Sequence, residues 1–215
     1  MDYEYKHPIY YHKYMKYKAK YLSLKNQFGG NQIKNIIIHV SGPQGSGKTT
    51  LGNKLKEIYG DQIHVKDLDD LRGDAYKDKE EDYQKYIDKY IKKNSDKPLI
   101  FTGLDADLCL GEVEPKETDK VYDLHTKHKF YIDLPQEQIL RQRFLRQVDK
   151  LQKRKEWFFD TWLEKPDMIN AKLKRFTDLK GWKVQMENCD KLHKKRDYSF
   201  LHPDIILRKV QELLS

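Results

Sequence analysis

Gly42-Pro43-Gln44-Gly45-Ser46-Gly47-Lys48-Thr49 fits the pattern GxxxxGK[ST] at every fixed position. An apolar run, Ile36–Val40, precedes it, and a segment with Leu51, Leu55, Ile58 and Tyr59 on one helical face follows. This is the spacing of a phosphate cradle. Glycines let the backbone wrap closely around an anion with its N–H groups turned toward the oxygens, and the start of the following helix adds positive potential. Lys48 is then the residue that reaches the β- and γ-phosphates of a nucleotide, and the Thr49 hydroxyl is a ligand for Mg²⁺. Gly42, Gln44, Gly45, Ser46, Gly47, Lys48, Thr49 and Thr50 are the candidate nucleotide-binding residues.

The next groups with chemical potential are acidic. Val65-Lys66-Asp67-Leu68-Asp69-Asp70-Leu71-Arg72 reads as the end of a second strand. In an open α/β sheet the C-terminal edge of the strands holds the ligand. If the strand ends near Asp67, then Asp67 and Asp69, two residues apart, point the same way. One carboxylate suits Mg²⁺ held through water, and the other suits orienting an acceptor hydroxyl or taking its proton. Arg72 lies one turn further and suits an acceptor phosphate. Asp105, just after Thr102-Gly103, is a second candidate at that edge. Arg143 and Arg146, three apart on a helix, share a face and can supply positive charge near a transferring phosphoryl group; with Lys150, Lys153, Arg154 and Lys155 they make a basic lid over about 141–165.

Elements alternating β and α must position these groups. The pattern predicts strands at Ile36–Val40, Gln62–Lys66, Leu99–Thr102 and Lys129–Leu134, with a weaker fifth at Trp182–Met186. A charged helix shows Tyr83, Ile87, Tyr90 and Ile91 on one side. A helix from Pro135 presents Leu140, Phe144, Val148 and Leu151 at helical spacing, residues 156–180 read as helical, and Pro203 opens a last helix with Ile206, Val210, Leu213 and Leu214 inward. Such alternation predicts an α/β fold with a parallel sheet covered on both faces. Before it, residues 9–28 read as one amphipathic helix with Tyr10, Tyr14, Tyr17, Tyr21, Leu24 and Phe28 on one face. That face suits packing on its own domain or docking to a partner or a membrane surface. The chain thus divides into an N-terminal Tyr/Lys-rich helix, 1–34, and one nucleotide-binding domain, 35–215.

Composition excludes several classes. Of 215 residues, 38% are hydrophobic and 35% charged, enough for one core, and charges interrupt every apolar run before it is long enough for a membrane span. No apolar leader opens the chain. Two cysteines, Cys109 and Cys189, make no disulfide framework and suit a reducing, cytoplasmic setting, with Cys189 expected as a small apolar residue in a loop. The spacings of Cys109, His125, His128, Cys189 and His193 make no paired zinc pattern. Net charge is +8, but it is concentrated: residues 1–34 carry +5, residues 141–155 carry +6, and the remainder is −3. Two basic segments on a mildly acidic body attract phosphates, in small molecules or in nucleic acid. Only eight of the 42 basic residues are arginine, the bias of an AT-rich genome, which gives weight to the three arginines at 141, 143 and 146.

Taken together, Gly42–Thr49, Asp67-x-Asp69, Gly103 after the third strand and the arginines after the fourth resemble the small P-loop kinases, which include nucleoside monophosphate, shikimate and gluconate kinases. The resemblance implies a three-layer αβα fold with five parallel strands in the order 2-3-1-4-5 and Mg·ATP as phosphate donor. It implies Lys48 on phosphate, Thr49 and Asp67 on Mg²⁺, Asp69 facing the acceptor, and lid arginines. Asp69-Asp70-Leu71-Arg72 also resembles the acid-x-x-Arg stretch of polynucleotide 5′-hydroxyl kinases. After the third strand, Gly103-Leu104-Asp105-Ala106 carries neither the Gly-Phe-Pro-Arg of adenylate kinases nor the glycine triplet of shikimate kinases. The tract from Tyr10 to Gly30 is similar to an N-terminal segment of many giant-virus proteins of the mimivirus type, which implies a viral factory in host cytoplasm, or a virion, as the setting.

The expectation is an ATP-dependent phosphotransferase with a small acceptor, a nucleoside or nucleotide. The alternatives are a polynucleotide 5′-hydroxyl kinase, with nucleic acid as partner, and a non-catalytic nucleotide-binding or virion structural protein.

Overall fold

Five short strands pair into one sheet in the computed structural model of the chain, which describes residues 36–79, 82–103, 124 and 126–215. The strands are β1 (Ile37–Ser41), β2 (His64–Asp67), β3 (Leu99–Thr102), β4 (His128–Ile132) and β5 (Ser199–Leu201). Their order is β2-β3-β1-β4-β5, and every neighbouring pair is parallel. The helices are α1 (Lys48–Tyr59), α2 (Leu68–Lys77), α3 (Tyr83–Lys93), α4 (Gln136–Lys153), α5 (Lys155–Glu164), α6 (Pro166–Phe176), α7 (Leu179–Lys195) and α8 (Pro203–Leu213).

Strand alternation sends side chains to two cores. Ile38, Val40, Ile100, Phe130 and Ile132 meet Leu51 and Leu55 of α1 and Ile206, Leu207 and Val210 of α8 on one face. On the other, Leu99 and Phe101 meet Leu71 and Ala75 of α2 and Ile87 of α3. Tyr131 joins Cys189 and Leu192 of α7 on that second side. Helices therefore cover both faces, which an all-parallel sheet requires because neither face can be left to water.

The structure corrects several expectations. Trp182–Met186 is not a strand but the second turn of α7. Its alternation also satisfies a four-residue helical repeat, and burial of Trp182, Met186, Cys189, Leu192 and His193 extends that repeat for three turns, which a strand cannot do. The fifth position of the sheet is taken instead by β5, at the edge beside β4 among the described residues. Cys189 accordingly sits in a helix, 2% exposed, and is disulfide-bonded rather than free; Cys109 lies outside the described residues. The charged stretch after β2 is two helices, since α2 begins directly at Leu68 with Asp67 as its cap. Residues 155–176 break at Lys165, where Pro166 opens α6.

The largest correction concerns α4. Leu140, Phe144, Val148 and Leu151 recur at helical spacing, yet Phe144 and Val148 are exposed and the buried residues are Ile139, Arg143 and Gln147. The helix turns its mixed side inward because Arg143 finds an aromatic platform there, described below. No described helix is long and apolar enough to cross a membrane. The expected helix at 9–28 and Asp105 lie outside the described residues.

Two buried histidines brace the C-terminal edge of the sheet. His193 Nδ1 donates to the Cys189 carbonyl at 2.7 Å, so its Nε2 must accept, and Ser41 Oγ donates to it at 2.7 Å. His39 Nε2 donates to the Gly103 carbonyl at 3.3 Å, leaving Nδ1 to accept from Tyr198 Oη at 2.6 Å. Both rings are neutral: burial is the main cause that lowers His39 to about 3 and His193 to about 4. A folded-state value below the unfolded 6.5 means that the unfolded chain takes up protons that the folded one refuses. This contribution is complete above about pH 6.5 and is lost as pH falls, approaching ~1.4 kcal/mol per pH unit for each histidine. Urea unfolding at about pH 7 and about pH 5 should show this fall; equal stability at both would contradict neutral buried rings.

Candidate active site

The loop between β1 and α1 closes under α4. Gly45 and Gly47 both adopt left-handed backbone, at φ +92 and +93, where a side chain is strained. At Gly45 the constraint is doubled, because an added Cβ would lie 3.1 Å from Arg143 N and 3.2 Å from the Ile139 carbonyl. Gly45→Ala should therefore push α4 off the loop and lower stability by about 1–3 kcal/mol, from the backbone penalty and the displaced helix. Denaturant unfolding reads this, and unchanged stability would remove the proposed contact.

α1 starts at Lys48 with no side-chain cap and no acidic residue in its first turn. The first-turn N–H groups, 48–50, thus lack the partner that an N-cap supplies, and the helix dipole adds to their field. Lys48 Nζ meanwhile folds back on its own loop, donating to the Gly42 carbonyl at 2.7 Å and the Pro43 carbonyl at 3.0 Å. Burial lowers its pKa to about 8, against the pull of Asp69 and Asp67. Among the described residues these two carbonyls are its only hydrogen-bond partners, so the ammonium gains from an anion placed beside it.

Opposite the loop, β2 ends in Asp67, and its carboxylate is held at both oxygens. Oδ1 accepts from Asp69 N at 3.0 Å, capping α2, and Oδ2 accepts from Thr102 Oγ at 3.1 Å. The cap places Asp69 in the first turn of α2. Burial and the neighbouring Asp67 raise the Asp69 pKa, while Lys48 and Arg72 pull it down. Asp67 and Asp69 do face one region, but through a strand-to-helix corner and not through strand periodicity.

From above comes Arg143. Its guanidinium lies 4.5 Å over the Trp182 ring, and Nη2 donates to Gln185 Oε1 at 3.0 Å. It is 8% exposed, burial lowers its pKa to about 10, and Nε has no hydrogen-bond partner. Among the described residues the Arg143 cation is thus buried without an ion pair, and it borders the same space as the loop.

These groups line one cavity of about 720 Å³, within the range of ligand pockets. Gln44, Gly45, Gly47, Lys48, Thr49, Thr50, Asp67, Asp69, Arg143 and Arg146 all border it. Gly42 and Ser46 do not; they lie behind the loop, buried. Arg72 is also elsewhere. One turn after Asp69 it faces away, 5.4 Å from the Tyr83 ring, and borders a separate small cavity with His39, His193 and Arg196. The sequence reading missed Pro43, Asp70, Gln142, Gln185, Met186 and Cys189, which complete the lining. The signal for the last three was the helical repeat of α7.

The donor set suits a hard cation. A hydroxyl, Thr49, and carboxylates, Asp67 and Asp69, border the same space, and oxygen donors with room for water are what Mg²⁺ takes. No group of three His, Cys, Asp or Glu side chains able to hold a metal unaided exists among the described residues. In comparisons with known proteins, the chain matches no family model, no curated protein and no solved structure.

Proposed function

We propose that the chain is a phosphotransferase that moves the γ-phosphate of Mg·ATP to a nucleoside or nucleotide acceptor. The observation that carries this reading is the one cavity that joins Gly45, Gly47, Lys48, Thr49 and Thr50 with three aspartates and two arginines. Phosphoryl transfer asks a protein mainly for positioning and for charge stabilisation, and these are the groups that supply both.

Lys48 and the uncapped N–H groups of α1 bind the β- and γ-phosphates. Thr49 and Asp67 would hold Mg²⁺, which would supply positive charge against the phosphates. Asp69 faces the acceptor and takes the proton of its hydroxyl as the new O–P bond forms; the bond between the γ-phosphorus and the β–γ bridging oxygen breaks, and ADP leaves with that oxygen. The raised pKa of Asp69 moves it toward the operating pH of a general base. Arg143 and Arg146 offset the negative charge shared between donor and acceptor. Asp67 is chiefly an anchor, since it fixes the start of α2 and so the position of Asp69.

Transfer of labelled γ-phosphate to nucleosides, nucleoside monophosphates and 5′-hydroxyl oligonucleotides tests the reading. A labelled product that disappears in Lys48→Ala is the expected result. No labelled product from any acceptor, with ATP bound, would overturn it.

A further inference from the structure

We infer that the acceptor nucleoside is the end of a single-stranded polynucleotide, whose strand lies along α4 and α5. The inference rests on the phosphotransfer reading for the chemistry at the end, and on a separate surface for the strand.

Arg146, Lys150 and Arg154 recur every four residues, about 6 Å apart along the helix. Arg146 borders the cavity, so the row begins at its rim and leads outward. No carboxylate among the described residues pairs with any of the three, and the only acidic residue in this stretch, Asp149, is taken by Lys153 at 2.9 Å. Burial and the repulsion of Arg146 and Arg154 lower the Lys150 pKa, as expected of cations that lack a counter-ion.

Arg154 is the single residue between α4 and α5, so the charged row ends where α5 begins. There Lys155, Phe159 and Trp162 fall within about 60° of one another around the helix, while Glu156, Asp160 and Glu164 form a stripe centred about 140° away. Phe159 is 60% exposed and Trp162 46%. Their neighbours are engaged by other side chains: Lys172 Nζ sits 4.6 Å over Trp157, and Phe158 meets Phe176 edge-on at 6.0 Å. Two open rings at the end of a row of unpaired cations match a ligand that alternates phosphates with flat faces. Single strands bind in this way, by backbone charge and base stacking. A duplex hides the faces of its bases, and the acidic stripe on α5 disfavours a lipid surface.

The test uses the full chain and a fluorescent 5′-hydroxyl oligothymidylate, followed by anisotropy without ATP, beside the same length of duplex. The single strand should bind more tightly than duplex. Phe159→Ala and Trp162→Ala should each weaken it by about 5- to 150-fold, with thermal stability and ATP binding unchanged. Lys150→Gln and Arg154→Gln should each lower the slope of log affinity against log salt by about 0.7. Lys48→Ala should bind the strand normally, and wild-type transfer should favour the oligonucleotide over free thymidine. Absence of strand binding with ATP binding intact overturns the inference and leaves phosphotransfer standing. Strand binding without ATP binding overturns phosphotransfer and, with it, the assignment of the strand end as acceptor. Equal affinity for duplex, with the ring variants silent, reduces the surface to non-specific charge and overturns the inference, as does self-association through Phe159 and Trp162 without strand binding.

Discussion

Asp69→Asn is expected to slow phosphoryl transfer by about 10²- to 10⁴-fold, the usual contribution of a positioned general base, while ATP affinity stays within a few-fold of wild type. The split follows from geometry. Asp69 is fixed through its backbone N–H on Asp67 Oδ1, a bond that asparagine keeps, so loop and cavity are undisturbed. What asparagine cannot do is take the acceptor proton. The raised Asp69 pKa, caused first by burial and then by Asp67, predicts in addition that wild-type activity falls as acid protonates the base at a pH above the ordinary carboxylate range. Steady-state rates beside equilibrium ATP titrations read both effects. Full activity in Asp69→Asn would remove it from the reaction, and loss of ATP binding would make its role structural.

Lys48→Ala is expected to have the opposite signature. A charge-assisted hydrogen bond to phosphate is worth about 1.5–3 kcal/mol, so ATP binding should weaken by about 10- to 150-fold. pH adds a second check on the same residue. Unliganded Lys48 titrates at about 8 because burial opposes its charge, whereas bound phosphate would favour the ammonium. ATP affinity should therefore hold below about pH 8 and drop by up to tenfold per pH unit above it, with that drop absent in Lys48→Ala. Calorimetric titration across this range measures it. A flat profile in wild type would mean that phosphate does not reach the ammonium.

The parts of this site that follow from local sequence were legible. The glycine-rich loop, the strand before it and the helix after it are set by neighbours within about 25 residues, and β3 and the buried face of α3 follow from simple periodicity. What stayed hidden depends on distant contacts. Arg143 turns inward because Trp182 and Gln185 meet it there, and no pattern within α4 announces that partner. The apolar residues Phe144 and Val148 stand at helical spacing and are nonetheless exposed. Trp182–Met186 satisfied two periods at once, and only the continuation to Leu192 and His193 decides for helix. Arg72 looked equivalent to Asp69 in sequence, but three residues along a helix turn it toward Tyr83 and the second cavity.

The central claim is that this cavity couples loss of the γ-phosphate to phosphorylation of an acceptor. The measurement that meets it most directly is a time course of wild type with Mg·ATP and a 5′-hydroxyl oligonucleotide or nucleoside, quantifying ADP, inorganic phosphate and phosphorylated acceptor together. The account predicts ADP and phosphorylated acceptor rising in equal amounts, with little inorganic phosphate and no turnover in Lys48→Ala. ADP matched by inorganic phosphate alone, or ATP bound without turnover, would contradict it and leave a hydrolase or a nucleotide-binding protein in its place.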